Sequence, residues 1–394
     1  SRRRGFLKTS RRPVDLSREQ TIALDRVAAW LKDKSSPVFR LYGYAGTGKT
    51  SVAKYFADQV DGRVLFAAYT GKAAHVMQQK GCCGASTIHS LIYIPKSKSE
   101  AHLTKLRQQL NELREMAAQE DRIDDILHEI GREEDNLARP SFSLNLESEL
   151  RGADLLIVDE CSMVDQRMAE DLMSFGAPIL VLGDPAQLPP IYGGGYFTDA
   201  PPDFMLTQVH RHALDSPVYA MATEIRETGR VTPGPRDGSG VFSMKEVDKE
   251  LTLAAGIILV GRNKTRAGIN ASARRHRRFP HKIPVVGDQL VCLRNNHTIG
   301  ILNGSMWRCT GVDNMDNETV DLDISNGEGT ELSVTAHMDP FETGDKTKGG
   351  RFEIMKAEDF TFGYALTCHK AQGSQWDSIV VWDESAAFRD NPDT

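Results

Sequence analysis

Four short apolar runs mark the first half of the chain, and each is bounded by residues typical of turns or of helix starts. The runs occupy residues 38–42, 64–69, 153–159 and 178–184. Near-continuous apolar strands separated by helical segments are typical of a parallel sheet that is covered on both faces. The pattern therefore predicts an α/β fold built on a parallel sheet.

An amphipathic helix is predicted ahead of the first strand, over residues 16–31, because apolar side chains recur there at helical spacing. Ser17 is a suitable N-cap, since its hydroxyl can accept from a backbone N–H of the first turn. Glu19 adds an acid to that turn, where the helix dipole favours a negative charge. We expect this helix to pack on a larger part of the fold.

A second α/β domain is predicted in the later half of the chain. Apolar runs at 256–261 and 377–383 repeat the character of the first four, and they follow a stretch rich in Pro and Gly at 232–240. Such a stretch is typical of a boundary between domains.

Two segments break the alternation of strands and helices. Residues 100–134 carry apolar stripes amid dense charge, which predicts two amphipathic helices in a hairpin. Residues 307–335 alternate between apolar and polar positions around Asn326-Gly327, the dipeptide of a tight hairpin turn. We interpret the two segments as a helical insertion and a small antiparallel β insertion.

Composition narrows the class of protein. The chain has 394 residues, an apolar fraction of 40% and a formal net charge of −6, so it suits two to three globular domains without an overall basic field. A site for a polyanion must therefore be a local patch. Residues 1–14 form a basic arm that we expect to be flexible. No run reaches the roughly 18–20 apolar residues of a membrane span, and the six cysteines show no CxxC pair, so we expect a cytoplasmic protein that is not bound to a membrane.

The strongest single motif is GYAGTGKT at 43–50, which fits the phosphate-loop pattern G-x-x-x-x-G-K-[ST] between a strand and a helix. Glycines let the backbone curl so that its N–H groups face phosphate oxygens. Lys49 is expected to reach the β- and γ-phosphates of ATP, and Thr50 to bind Mg²⁺. The predicted nucleotide contacts are Gly43, Ala45, Gly46, Thr47, Gly48, Lys49, Thr50 and Ser51.

Two further strand ends carry polar groups to the same edge of the predicted sheet. Asp159 and Glu160 follow an apolar strand, so Asp159 is expected to hold Mg²⁺ and Glu160 to orient and deprotonate the attacking water. Gln187 follows the next apolar run and is expected to bond to the γ-phosphate or to that water. Adjacent acids favour hydrolysis over kinase chemistry.

Seven motifs in order resemble those of superfamily 1 DNA helicases, most closely the group that contains RecD and the phage helicase Dda. They are GYAGTGKT (43–50), AAYTGKAA (67–74), STIHSL (86–91), LLIVDECSM (155–163), VLGDPAQLPP (181–190), LTQVHRH (206–212) and ALTCHKAQGSQWD (365–377). The resemblance implies two RecA-like domains with ATP between them, single-stranded DNA as partner, 5′→3′ movement, and work in DNA repair, recombination or replication.

The resemblance also assigns roles to single residues. Gln20 matches the glutamine that reads adenine, and Arg211 matches the arginine that reaches the γ-phosphate from the second domain. Gln372 and Gly373 match residues that couple the DNA track to the nucleotide. The positions that match contacts to DNA are Thr70, Lys72, Thr87, His89, Thr367 and His369. The basic run at 274–278 is a further candidate for phosphate contacts, with a solvated helix face as the alternative.

The domain boundaries expected from the resemblance are 15–205 and 206–394 for the two RecA-like domains. The first holds an insertion at about 92–150, which stands where the family separates strands and also offers a surface for a protein partner; the second holds an SH3-like β-barrel insertion at about 307–356. The family's last motif, with a second γ-phosphate arginine, is expected after 380–385, and we expect it in a continuation beyond Thr394.

Three functions remain open on the sequence. The first is a DNA helicase acting at junctions of single- and double-stranded DNA. The second is a non-unwinding subunit of a nuclease–helicase assembly, either a scaffold or an ATPase that single-stranded DNA stimulates. The third is an RNA helicase, which differs in its use of the 2′-hydroxyl.

Overall fold

A computed structural model describes the chain over residues 16–95, 101–115, 122–123, 126–127, 129–130, 142–187, 195–209, 215–280, 282–296, 299–327, 329–345, 347 and 357–388. The basic arm at 1–14, Arg211, and parts of the predicted helical insertion lie outside the described residues. Two compact units divide the chain. The first comprises Ser1–Ile92, Leu146–Ile269 and Tyr364–Thr394, and the second comprises Tyr93–Asn145 and Asn270–Gly363.

The strands are β1 Val38–Gly43, β2 Val64–Ala68, β3 Ser86–Thr87, β4 Tyr93–Pro95, β5 Phe142–Leu144, β6 Leu155–Asp159, β7 Ile179–Gly183, β8 Phe204–Leu206, β9 Gly234–Arg236, β10 Ser239–Val241, β11 Ile257–Val260, β12 Gln289–Cys292, β13 Met306–Asp313, β14 Thr319–Ser325, β15 Glu331–His337, β16 Phe360–Phe362, β17 Ala365–Thr367 and β18 Ile379–Val381.

The helices are α1 Arg18–Asp33, α2 Lys49–Ala57, α3 Gly71–Gln79, α4 Ile88–Ile92, α5 Ala101–Glu115, α6 Gln166–Met173, α7 Pro217–Thr228, α8 Lys249–Ala254, α9 Asn263–His276, α10 Asp339–Thr343 and α11 Cys368–Ala371. Short 3₁₀ turns cover Cys161–Met163 and Ser385–Phe388. Within the part of the chain described here, no helix combines the length and the apolar character that crossing a bilayer requires.

The first unit contains a six-stranded parallel sheet in the order β3-β2-β6-β7-β1-β8. The predicted apolar runs form its four central strands, and the backbone register pairs Ala68 with Asp159 and Gly43 with Leu206. Because parallel strands end at one edge, the loops after β1, β6, β7 and β8 share that edge. The α/β fold with a parallel sheet is thus confirmed.

The helix predicted from residue 16 begins at Arg18 and ends at Asp33. Ser17 caps it, because its hydroxyl accepts the N–H of Gln20 at 3.2 Å while the Gln20 side chain accepts the N–H of Ser17 at 3.0 Å. This reciprocal pair is a capping box. The buried face of the helix packs into the apolar core beside Phe39 and Leu41, as the pattern predicts.

A second parallel sheet in the first unit has the order β17-β11-β18. Its strands β11 and β18 lie within the predicted runs at 256–261 and 377–383. Strand β17 was not predicted, because its three residues stand at the beginning of a motif and not in an apolar run of their own. Helix α11 follows directly from it.

The second unit contains an antiparallel sheet in the order β15-β14-β13-β12-β16. The alternation at 307–335 correctly predicts its hairpin, in which Asp321 pairs with Thr335 and the N–H of Asn326 donates to the Thr330 carbonyl at 3.1 Å. The sheet extends beyond the segment expected at about 307–356, from β12 through β16. These outer strands escape prediction because they do not alternate: every residue of β16 is buried.

Helix α5 lies in the predicted helical insertion. Leu106 and Leu110 are buried together with Ile130, and Ile123 and Ile126 pack against them. This cluster joins α5 to the helical residues described between 122 and 130, as expected for the amphipathic stripes. Strands β4 and β5 pair antiparallel at the base of the same segment.

Arg274, which belongs to the basic run at 274–278, does not fit either role expected for that run. Arg274 is 3% exposed, donates to both carboxylate oxygens of Asp288 at 2.9 Å, and stacks over Phe362 with its guanidinium carbon 3.7 Å from the ring centroid. It therefore belongs to neither a solvated face nor a phosphate track. Its side chain organises the fold of the second unit.

Candidate nucleotide site and nucleic-acid contacts

The phosphate loop runs from the end of β1 to the beginning of α2. Gly46 and Gly48 both have φ of 80°, a conformation that L side chains rarely adopt, so the glycines permit the curl of the loop. Gly43 packs too closely for any side chain, since an added Cβ would lie 2.6 Å from Thr47 Oγ1 and 2.9 Å from Leu206 Cβ. The sequence motif therefore forms the cradle that it predicts.

Lys49 lies across the loop as the first residue of α2. Its ammonium group donates to the Gly43 carbonyl at 2.5 Å and to the Tyr44 carbonyl at 3.1 Å. The first N–H groups of a helix have no acceptor within the helix, so those at the beginning of α2 suit an anion. A cradle of glycines, a lysine and helix N–H groups fits the phosphates of ATP. Ala45, Gly46 and Ser51 are exposed at this loop.

Thr50 and Asp159 meet as a pair that fits Mg²⁺. Thr50 Oγ1 donates to Asp159 Oδ2 at 2.7 Å, and Asp159 Oδ1 accepts the N–H of Glu160 at 2.8 Å. A hydroxyl and a carboxylate are oxygen ligands, which Mg²⁺ prefers, and few protein ligands suffice when phosphates and waters complete its shell. The structure therefore brings together both residues predicted for the metal.

Glu160 leaves the line of strand β6 through a left-handed backbone conformation, with φ of 54°. Burial raises its pKa above the ordinary value, and the neighbouring Asp159 carboxylate raises it further; Lys49 and a hydrogen bond from Gln187 oppose the rise. A glutamate with a raised pKa is a better proton acceptor once it is ionised. Its position and its basicity suit the predicted general base.

Gln187 is held at the end of the loop after β7. Asp184, which is 6% exposed, accepts the N–H of Ala186 at 3.0 Å, and its carbonyl accepts the N–H of Gln187 at 3.1 Å. The hydroxyl of Ser162 approaches the Gln187 side chain at 3.5 Å. Asp184 and Ser162 escaped the sequence analysis, although the acid at the end of an apolar strand was a signal for the first.

Gln20 is buried beside the phosphate loop, and its side-chain amide donates to the Thr47 carbonyl at 3.1 Å. Its carbonyl oxygen accepts within the capping box of α1. The residue predicted to read adenine thus also links α1 to the loop that carries the phosphates. Its contact with adenine stays a prediction, as does the role of Arg211.

The threonines predicted to contact DNA stand immediately before helices of the first unit. Thr70 caps α3 by accepting the N–H of Ala73 at 3.1 Å, Thr87 accepts the N–H of Ser90 at 3.1 Å before α4, and Thr367 precedes α11. Each therefore lies beside backbone N–H groups that favour an anion. Thr87 and Thr367 are buried, so their side chains offer little surface to a strand, and their contacts with DNA stay predictions.

The remaining predicted DNA contacts lie close to the same helices. The Lys72 ammonium lies 5.2 Å from the ring centroid of Trp376, and the His89 ring meets Tyr69 edge-on at 6.3 Å. His369 is half-buried on α11.

Gly373 has φ of 72°, and an added Cβ would lie 3.7 Å from both Thr70 Oγ1 and Ala73 Cβ. Together with the Lys72 ammonium over the Trp376 ring, this places the motif at 365–377, which includes Gln372, beside the motif at 67–74 inside the first unit.

Comparisons with known proteins agree with these motifs. A protein family described as an AAA domain matches residues 15–234, and a family described as the UvrD-like helicase C-terminal domain matches residues 362–394. The first match covers more than half of the chain and contains the phosphate loop and Asp159. The chain belongs to the superfamily 1 helicases of the RecD-like group.

Among the relatives of this superfamily 1 helicase chain is the ATP-dependent RecD2 DNA helicase of Deinococcus radiodurans, which is 27% identical over 404 aligned residues. The alignment covers 93% of this chain and 45% of the relative, so the chain spans about half the length of the curated relative that it matches.

The fold is similar to that of a solved Pif1 helicase structure. A structure of two coordinating Pif1 helicases at forked double-stranded DNA has a TM-score of 0.50 at 19% identity, and the match covers 94% of this chain and 86% of that chain. Pif1 from Bacteroides in complex with ADP-AlF3 and single-stranded DNA has a TM-score of 0.48 at 18% identity, over 91% and 85% of the two chains.

Proposed function

We propose that this helicase-family chain hydrolyses ATP and uses the hydrolysis to move 5′→3′ along single-stranded DNA and to unwind duplex DNA. The observation that carries the proposal is the meeting of Lys49, Thr50, Asp159 and Glu160 at one edge of the parallel sheet. The proposed 5′→3′ direction of movement rests on the resemblance to the RecD and Dda group.

The chain's own residues divide the work of hydrolysis. Lys49 and the N–H groups of the loop bind phosphate oxygens, and Thr50 with Asp159 would hold Mg²⁺. Glu160 takes the proton of a water whose position Gln187 helps to fix. Mg²⁺-bound ATP supplies the phosphoanhydride bond whose hydrolysis releases free energy. Positioning and charge stabilisation are what phosphoryl transfer requires of a protein.

Coupling to DNA is proposed to pass through the close approach of Gly373 to Thr70 and Ala73, which leaves little more than the room of one added methyl group. Thr70 and Thr367 are both predicted to contact DNA, and they lie in different motifs. Gln372 and Gly373 follow Thr367 in its motif, with Gln372 five residues after it. A change in the position of α11 therefore acts on both segments that would hold the strand. Contacts from hydroxyls and backbone N–H groups to phosphates carry no sequence preference, which suits movement along any strand.

The test is unwinding of two matched duplexes, one with a 5′ single-stranded tail and one with a 3′ tail, in ATP and Mg²⁺. We expect separation of the 5′-tailed duplex only. Lys49→Ala serves as the matched inactive variant, and it should lose ATP hydrolysis while binding single-stranded DNA as the unchanged protein does.

Other results would assign the chain differently. ATP hydrolysis that DNA does not stimulate, without strand separation, would favour the non-unwinding subunit. Stimulation by an RNA tail but not by a DNA tail would favour an RNA helicase. Hydrolysis that survives in Lys49→Ala would exclude the proposed ATP site.

A further inference from the structure

Tyr44 is the second residue of the phosphate loop, and the guanidinium of Arg226 stacks over its ring. The guanidinium carbon of Arg226, on α7, lies 3.7 Å from the ring centroid of Tyr44. This is well inside the roughly 6 Å that limits a cation–π contact. Both side chains are half-buried, which strengthens the attraction because less water screens it.

Tyr44 is also a centre of hydrogen bonding within the loop. Its carbonyl accepts the N–H of Thr47 at 3.3 Å, the Thr47 hydroxyl at 2.9 Å and the Lys49 ammonium at 3.1 Å. Fixing the Tyr44 ring therefore fixes the turn from Tyr44 to Thr47, and with it the place from which Lys49 reaches a phosphate.

Helix α7 is itself anchored at both ends, so it offers Arg226 from a fixed base. Ser216 caps its beginning by accepting the N–H of Tyr219 at 3.4 Å. Near its end, Glu224 accepts from Arg236 at 2.7 Å and from the N–H of Thr232 at 2.8 Å. Among the ion pairs of the described residues none includes Arg226, so no carboxylate there competes with the Tyr44 ring for its guanidinium.

We propose that Arg226 is a positioning residue for nucleotide binding, which acts by stacking on Tyr44 and holding the phosphate loop in the shape that receives the phosphates. This inference rests on the proposed ATP site and adds a residue that none of the seven motifs contains. A loop held in its binding shape loses less conformational entropy when the ligand arrives, so its affinity is higher.

The experiment measures binding of ADP, and of a non-hydrolysable ATP analogue with Mg²⁺, by titration calorimetry. The variants are Arg226→Ala, Tyr44→Ala and the double variant. Arg230→Ala is the matched control, because Arg230 is an exposed arginine just beyond the end of α7. We expect Arg226→Ala to raise the dissociation constant about two- to thirtyfold, the range of a cation–π contact, and Arg230→Ala to leave it unchanged.

The double variant separates positioning from charge. If Arg226 acts through Tyr44, then Arg226→Ala has no further effect once Tyr44→Ala is present. Effects that multiply in the double variant would show that the charge acts on the nucleotide directly, and they would overturn the proposal. Equal affinities of Arg226→Ala and Arg230→Ala would overturn it too.

Two conservative variants test the proposal in case an alanine variant fails to fold. Tyr44→Phe keeps the ring and is expected to bind as tightly as the unchanged protein. Arg226→Lys keeps the charge but loses the planar stack, so its affinity is expected to fall between those of the unchanged protein and Arg226→Ala. An unchanged protein that binds neither nucleotide would instead exclude the proposed ATP site, and this inference with it.

Discussion

At the scale of single residues, the two adjacent acids after β6 have different environments. Both carboxylate oxygens of Asp159 accept a hydrogen bond, one from the hydroxyl of Thr50 and one from the N–H of Glu160. Glu160 turns away from the strand with φ of 54° and is surrounded by Asp159, Lys49 and Gln187. One acid is thus arranged to hold a cation, and the other has the raised pKa of a proton acceptor.

The raised pKa of Glu160 predicts how hydrolysis depends on pH. A base must be ionised to act, and burial together with the Asp159 charge raises the pKa of Glu160. The acid limb of kcat is therefore expected to lie above the roughly 4.3 of an ordinary glutamate. The measurement is kcat for ATP hydrolysis across pH 4–8, with circular dichroism to verify that the protein stays folded.

Glu160→Gln is the control for the pH profile. It should bind ATP, because glutamine has nearly the same shape, and hydrolyse it at least a hundredfold more slowly, the lower range of a lost general base. A limb at the ordinary glutamate value, or hydrolysis at the unchanged rate in Glu160→Gln, would remove Glu160 from the role of base.

At the scale of elements, the apolar pattern predicted the strands that lie within apolar runs and missed short strands outside such runs. Strands β1 and β6 are apolar runs of five or six residues, so their pattern is visible in the sequence. Strands β3 and β8 have two and three residues and are defined by their neighbours in the sheet. The phosphate loop was predictable because its motif is local, whereas Arg226 was not, since it reaches Tyr44 only through the fold.

Helix α1 is joined to the segment after β8 by Glu19, which sequence analysis assigned only to the helix dipole. Its carboxylate accepts the N–H groups of Thr207 at 3.0 Å and of Gln208 at 2.7 Å, and the Thr207 hydroxyl at 2.8 Å. Although partial burial raises the pKa of Glu19, the hydrogen bonds from Gln208 and Thr207 lower it below the ordinary value.

Glu19→Ala is expected to destabilise the first unit, because two N–H groups and a hydroxyl lose a charged acceptor. The expected loss is about 1–2 kcal/mol in the free energy of unfolding, reduced from the full value of such bonds because the site is partly exposed. Urea unfolding followed by tryptophan fluorescence measures it, and Trp30 of α1 is a local reporter. Glu227→Ala, an exposed acid on α7, is the control and should change little.

The effect of Glu19 should also depend on pH. A carboxylate with a lowered folded pKa contributes stability above its unfolded pKa and loses that contribution as pH falls through the folded value. The unchanged protein and Glu19→Ala are therefore expected to differ at pH 7 and to converge in acid. A difference that persists at the most acidic pH would mean that the carboxylate charge is not the cause.

At the scale of the whole molecule, a net charge of −6 limits how this chain would hold the single-stranded DNA proposed as its partner. Long-range attraction of a polyanion to the protein is weak, so binding must rest on local donors. The predicted contacts fit this limit, because three of them are threonines next to helix N-termini and Lys72 is the lysine among them. Neutral donors bind phosphates but release few of the counterions that surround a DNA strand, so they add little to the salt dependence of binding.

The salt dependence of DNA binding tests this arrangement. Each cation that neutralises a phosphate of a single strand adds about 0.7 to the magnitude of the slope of log affinity against log salt. Lys72→Ala is expected to weaken binding of single-stranded DNA and to reduce that slope by about 0.7. Thr70→Ala should weaken binding at every salt concentration and leave the slope unchanged, because a hydroxyl carries no charge.

Lys245→Ala is the control. It removes an exposed lysine far from these motifs in sequence, and it should change neither the affinity nor the slope. A slope that Lys72→Ala leaves intact would show that the strand does not pass along the segment 67–74, and the proposed track would then have to be placed elsewhere on the first unit.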